Sequence, residues 1–401
     1  MNEAAFSYVD PIDRAPAVEG ALAGLRLAVQ PNLSVRGWPA NAGSRALENF
    51  AALEDAVVVE RLREAGAHIA GYTRTAELGF GLHTDTSAAV VASGACDAAL
   101  VTDTLGEARV AAAEAGLMGF KPTAGTVSRY GLNGLVPSME CLGVIARDAD
   151  TISRVLQTIS GPDEMDFSLG SRFADFTRPA SGAPKTVAVI PQSLACLSPE
   201  DTKAFDAALR VLERTGAHIL EAPAEAYPLL RAVHQTVGSV EASSSAGKYD
   251  GVRYGRRSPK ADDWNEMYLK SREESFGPLI KAFLFQGAYF QFKDYPAFEN
   301  ACRLRGRLIR EFDEVLRRAE VIALPTRRSA VADQPADVAQ VYDRFALTLA
   351  ANVAGLPAVS VSGLVRANAT DLGLQLVARG LEDHFLLGCA ATLAAAHTGD
   401  S

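Results

Sequence analysis

The chain has 401 residues, room for one to three domains, and its 48% hydrophobic and 22% charged content is that of a globular protein with a sizeable core. A formal net charge of -9 argues against a surface that coats nucleic acid, which needs clustered Lys and Arg against phosphates; the densest basic stretch is RYGRRSPK at 253–260. No 18-residue apolar run suggests a membrane span, and MNEAAFSYVDPIDRAP carries acidic residues where a signal peptide needs basic ones.

The pattern alternates strand and helix. A short apolar strand is expected at 25–29. Residues 54–65 carry Val57, Val58, Leu62 and Ala65 at helical spacing, stopped by Gly66. Strands follow at 68–72 and 98–101, then an Ala-rich helix at 107–115 and an amphipathic one at 148–159. The Pro/Gly/Ser-rich stretch 160–184 crosses the surface and is the best linker candidate. Further on, the pattern predicts strands at 186–190, 217–220, 321–324, 358–361 and 372–377. It predicts helices at 199–215, 303–318, 338–354 and 383–397. Strands alternating with helices point to an α/β fold with a mixed, mostly buried β-sheet covered by helices on both faces. The expected organisation is a single domain over 1–401, with a core at about 24–160, a more variable part at about 185–320 and a C-terminal part of the sheet at about 321–397.

Five scattered cysteines, Cys96, Cys141, Cys196, Cys302 and Cys389, read as free thiols in a reducing compartment, so a cytoplasmic location is expected. Neither a Cys-x-x-Cys nor a His-x-x-x-His pair occurs. No metal or other cofactor is expected.

The segment 101–123, VTDTLGEARVAAAEAGLMGFKPT, carries the most information. It resembles the GTDTGGSIRxPAAxxGxxGxKPT signature of the amidase-signature family. The resemblance extends through VQPN at 29–32, VRGWPANAGSRALENF at 35–50, LPT at 324–326, NVAGLP at 352–357 and GLQ at 373–375. SVEASSSAGKYDGVRYG at 239–255 and REESFGPLIKAFLFQGAYFQ at 272–291 are most similar to the A-subunit branch, that of the tRNA-dependent glutamine amidotransferases. The stretch between Gly79-Phe80-Gly81 and His83 is contracted relative to that branch, where a substrate-side loop would stand.

The resemblance implies a Ser–Ser–Lys relay in which one serine attacks an amide carbonyl. Carried over by position, the lysine is Gln30, the bridging serine His83 and the nucleophile Glu107. Such catalysis needs a deprotonatable oxygen beside a base. None of the three residues offers the family's chemistry. The family's oxyanion hole resembles backbone N–H groups of a Gly-Gly-Ser turn; the matching residues, Thr104, Leu105 and Gly106, are substrate-binding candidates. Leu105 would be costly there if the position required positive φ. Arg256 is a further candidate by position, and Asp103 with Arg109 is expected to hold the turn.

Glu107 has two readings. One is a structural carboxylate, paired with Arg109 or capping the helix that follows. The other is a general acid/base in an inherited cavity, with His83 as its dyad partner. Three functions follow: a non-hydrolytic pseudoenzyme or scaffolding subunit; an enzyme with replaced chemistry on an amide, imide or carboxylate; or an amidase whose nucleophile is Thr84 or Ser87. Implied partners are a second protein or a second copy, and a small amide or carboxylate ligand. A membrane and direct nucleic-acid binding are not expected.

Overall fold

A computed structural model describes residues 3–11, 19–176, 182–253 and 255–399. The strands are β1 (Phe6–Val9), β2 (Arg26–Val29), β3 (His68–Thr73), β4 (Ala98–Asp103), β5 (Met118–Lys121), β6 (Cys141–Ala146), β7 (Thr186–Val189), β8 (His218–Glu221), β9 (Val321–Pro325), β10 (Ala358–Val361), β11 (Arg366–Ala367), β12 (Thr370–Asp371) and β13 (Leu374–Ala378). Among the described residues, eleven of them form one sheet in the order β1-β3-β2-β4-β6-β5-β10-β13-β9-β7-β8, and β11 and β12 form a separate hairpin. The centre, from β4 to β9, pairs antiparallel; β3-β2-β4 and β9-β7-β8 pair parallel.

Strand pleating sorts side chains into two cores. On β4, Ala98 and Leu100 face one core, and Ala99 and Val101 the other. The first core receives Val58, Ile152, Phe205 and Leu386 from helices Val57–Glu64, Ala149–Ile159, Pro199–Arg214 and Asp383–Gly399. The second receives Ala108, Val233, Phe283 and Leu308 from helices Glu107–Glu114, Leu230–Ser245, Pro278–Phe292 and Tyr295–Arg318. The sheet is thus mixed, buried on both faces and α/β in class.

Several elements differ from the sequence pattern. The helix expected at 54–65 starts at Val57, because Ala56 is extended. The one expected at 303–318 starts at Tyr295, where Asp294 caps it and Pro296 lies in its first turn. The helix expected at 338–354 breaks into Val338–Arg344 and Leu349–Ala354. At the break, the Thr348 hydroxyl donates to the Leu105 carbonyl at 2.6 Å, and its own carbonyl accepts from Arg109 at 2.9 Å. Tertiary bonds therefore replace helical ones. β1, β5, β6 and the helices Leu230–Ser245, Trp264–Ser275 and Pro278–Phe292 lay outside the sequence expectation. The last two carry apolar residues on several sides, which blurs helical periodicity. In the stretch 160–184, residues 177–181 lie outside the described residues. Ahead of them, Asp163 accepts from the Ser128 hydroxyl and Asp166 from the Arg129 amide.

Candidate functional site

The site is built on the turn between β4 and helix Glu107–Glu114. Asp103 closes the strand, and its carboxylate meets Arg109 through Nη2 at 2.8 Å and Nε at 3.2 Å, both side chains fully buried. The guanidinium also donates to Asn352 Oδ1, Gln375 Oε1 and the Thr348 carbonyl. Burial works to raise the Asp103 pKa, but Arg109, Lys121 and Asn352 outweigh it and hold the carboxyl below the usual carboxylate range.

The turn carbonyls are then taken one by one. Asp103 O accepts from Asn352 Nδ2 at 3.0 Å, Thr104 O pairs with His234 Nε2 at 3.0 Å, and Leu105 O accepts from Thr348 Oγ1. Because a carbonyl only accepts, His234 Nε2 must carry the proton, and Nδ1 accepts from the Tyr342 hydroxyl at 2.9 Å. Burial pushes the His234 pKa down to about 4, so the ring is neutral at pH 7. Gly106, at φ +132°, completes the bend; a β-carbon there would come within 2.2 Å of Thr348 Oγ1. Leu105 does not have positive φ, so the strain considered for it does not arise.

Turned this way, the backbone N–H groups converge on Glu107. Its Oε2 accepts from Thr104 at 2.8 Å, Leu105 at 2.8 Å and Gly106 at 3.1 Å, and its Oε1 accepts from Gly81 at 3.2 Å. Arg109 is not its partner, and the carboxylate folds back onto the turn instead of capping the helix beyond it. Glu107 is 1% exposed, so no substrate-sized space opens at its carboxylate. Buried Leu105, Phe80, Phe283, His234 and Tyr342 enclose this region, with the Phe80 and Phe283 rings stacked at 4.6 Å. The Glu107 carboxyl is thus enclosed by the protein's own backbone and side chains.

Burial, then the neighbouring Asp103 carboxylate, push the Glu107 pKa up to about 7, against the pull of the N–H donors. A carboxyl raised in the folded state stabilises fully below its unfolded value near 4.5, and the contribution is lost as pH rises through about 7. Between pH 5 and 8 the native protein is expected to lose roughly 3 kcal/mol that a Glu107→Gln variant does not lose. Urea unfolding of both proteins across that range checks it; parallel pH profiles would rule it out.

Gln30 and His83 do not join Glu107. Gln30 Oε1 accepts from the Thr102 amide at 2.8 Å, and its Nε2 donates to Asp85 Oδ2 at 2.5 Å. Asp85 is half-buried on the surface side yet pushed up to about 6, chiefly by burial, and it also accepts from the Ser87 amide and hydroxyl. His83 Nδ1 is buried without a hydrogen-bond partner, and burial, then Arg344, lower the ring's pKa. No bond links His83 to Glu107, so the expected dyad is not assembled. Arg256 stays outside the cluster, held by Glu48 and Glu274 at 3.1 Å each. Thr84 donates to the Thr75 carbonyl, and Ser87 shares a 3.0 Å bond with Thr73. Among the described residues, no group of three or more His, Cys, Asp or Glu could hold a metal ion. His234, Tyr342 and Asp85 were missed in the sequence, where no motif marks them; Asn352 and Gln375 lay within recognised landmarks.

An eleven-stranded mixed sheet presenting a buried Asp–Arg turn at the end of β4 is the frame of an amidase. The Amidase family model matches residues 1–88 and 86–387, so the chain belongs to the Amidase family. Among curated relatives, the A subunit of the Glutamyl-tRNA(Gln) amidotransferase of Solidesulfovibrio magneticus is 32% identical over 98% of this chain and 87% of that protein. The corresponding subunit from Haloarcula marismortui is 33% identical over 94% and 96%. The solved A subunit of the Thermotoga maritima Glutamyl-tRNA(Gln) amidotransferase superposes with a TM-score of 0.80 at 26% identity, covering 97% of this chain and 87% of that one.

Proposed function

We propose that this protein is a single-domain, cytoplasmic, non-hydrolytic member of the Amidase family that serves as a scaffolding or regulatory subunit. The observation that carries the reading is the saturation of the Glu107 carboxylate by four backbone N–H groups at a position that is 1% exposed. Donors of this kind stabilise a developing oxyanion when they are free to receive one. Here Thr104, Leu105 and Gly106 already hold a carboxyl group supplied by the chain. By resemblance, Gln30, His83 and Glu107 stand at the positions of lysine, bridging serine and nucleophile, and none supplies a serine–lysine relay. The relatives named as subunits of an amidotransferase support a protein partner.

Purified protein offered glutamine, asparagine or simple amides should release no ammonia above a heat-inactivated control, and a serine-directed fluorophosphonate should leave no adduct. Sustained ammonia release overturns the reading. An adduct on Thr84 or Ser87 would instead restore an ordinary amidase.

One observation favours a second reading: a Glu107 pKa of about 7 suits proton transfer at neutral pH. In that case Glu107, with His83, acts as general acid/base on a small amide, imide or carboxylate after the pocket opens. Glu107→Gln would then abolish a turnover that the native protein shows.

A further inference from the structure

The helices Trp264–Ser275 and Pro278–Phe292 and the start of helix Tyr295–Arg318 expose large apolar side chains that neither core uses. Leu269 is 71% exposed, Phe285 73%, Tyr289 54%, Phe292 79% and Tyr295 52%. Phe285, Tyr289 and Phe292 are spaced i, i+4 and i+7, so they form one stripe along their helix. Leu269 joins the stripe across a cleft of about 550 Å³ between the two helices, lined also by Phe276, Leu284 and Ala288. At roughly 150–250 Å² per ring, these fractions leave on the order of 600 Å² of apolar surface in one region. That matches the largest patch of a typical monomer, and it equals or exceeds the apolar share of a standard interface face of about 800 Å².

We propose that this face is a self-association surface, occupied by a second copy of this chain in a two-fold dimer. An isologous interface needs a projection and a recess on the same patch, so that each copy fills the other. Phe292 is the projection. The cleft beside Leu269 and Phe285 is the recess, about 10 Å away along the helix at its ordinary rise. The recess rim carries one acid, Glu273, and two bases, Arg272 and Lys281, so a two-fold axis can bring the acid of each copy opposite a base of the other. This locally basic rim matters in a chain of net charge -9, where two copies otherwise repel. The inference stands apart from the reading of Glu107: it involves none of the turn residues and holds whether or not the protein hydrolyses amides.

The test is sedimentation equilibrium of the full chain from about 1 to 50 µM, for the native protein and for Phe285→Glu and Phe292→Glu. The native protein should run at twice the 42.4 kDa chain mass, and each variant should dissociate at least about 30-fold more readily, as for a central apolar anchor. Circular dichroism and thermal melting of the variants should match the native monomer, since both side chains lie outside the cores; a variant that melts early is replaced by Tyr289→Lys. A native protein that stays monomeric throughout this range overturns the proposal. So does a dimer that survives all three substitutions, or a different protein found stoichiometrically on this face.

Discussion

Arg109→Met is expected to lose about 4–5 kcal/mol of folding stability, the largest effect expected of a single substitution in this site. Removing one member of a buried ion pair strands the other charge in a low-dielectric interior, typically at about 3–5 kcal/mol. Here the loss also strips partners from Asn352, Gln375 and the Thr348 carbonyl. Those three come from β13 and from the start of helix Leu349–Ala354, so the guanidinium ties two distant chain segments to one turn. Urea unfolding at pH 7 measures the effect. A loss below about 1 kcal/mol would mean that the pair is not what holds the turn. The double variant Asp103→Asn/Arg109→Met should lose clearly less than the sum of the single variants, because it leaves no buried charge unmatched. The Asp103 carboxyl is held below its ordinary value near 3.8, so its contribution is full above that value. It disappears as pH falls through the lower folded value. The acid limb of the native stability profile should therefore flatten in Arg109→Met.

The second large effect is expected at Glu107. Glu107→Ala removes the acceptor of four N–H groups in a place where water has little access. Each unsatisfied buried donor costs about 1–3 kcal/mol. Water entering the vacated volume satisfies part of the set, so a net loss of about 3 kcal/mol is expected. The vacated volume also becomes an anion site made of the same donors. Acetate or formate at tens of millimolar should raise the melting temperature of Glu107→Ala and leave that of the native protein unchanged. Chloride, without a planar pair of oxygens, should do less. If the carboxylates fail to stabilise the variant, the converging N–H groups are not an anion receptor and the proposed account of why this pocket is silent loses its support. If they stabilise the native protein equally, the effect is a general salt effect and the same conclusion follows.

Much of the architecture was legible in the residues. The runs that became β2, β3, β4, β7, β9, β10 and β13 are short and apolar, and buried strands advertise themselves in that way. The Ala-rich helix after the turn and the capped helices at Ala149 and Pro199 were equally readable. Less legible were elements whose limits depend on contacts. Thr348 breaks a helix that its local sequence would continue, because Leu105 and Arg109 claim its hydroxyl and carbonyl. The helices of 264–292 hide their period because part of their apolar surface faces outward.

By itself, the sequence determined the buried strands, the amidase-type frame, and the Asp103 and Arg109 that hold its turn. The tertiary structure alone decided which groups meet around that turn. Glu107 meets Gly81 across 26 positions, Thr104 meets His234 across 130, and Arg109 meets Gln375 across 266. Hydrogen bonds over such separations depend on how strands and helices cross, which no local period encodes. The bonds of Glu107 to its own turn are local, but the crossings decide that Gly81 joins them while His83 makes no bond to Glu107.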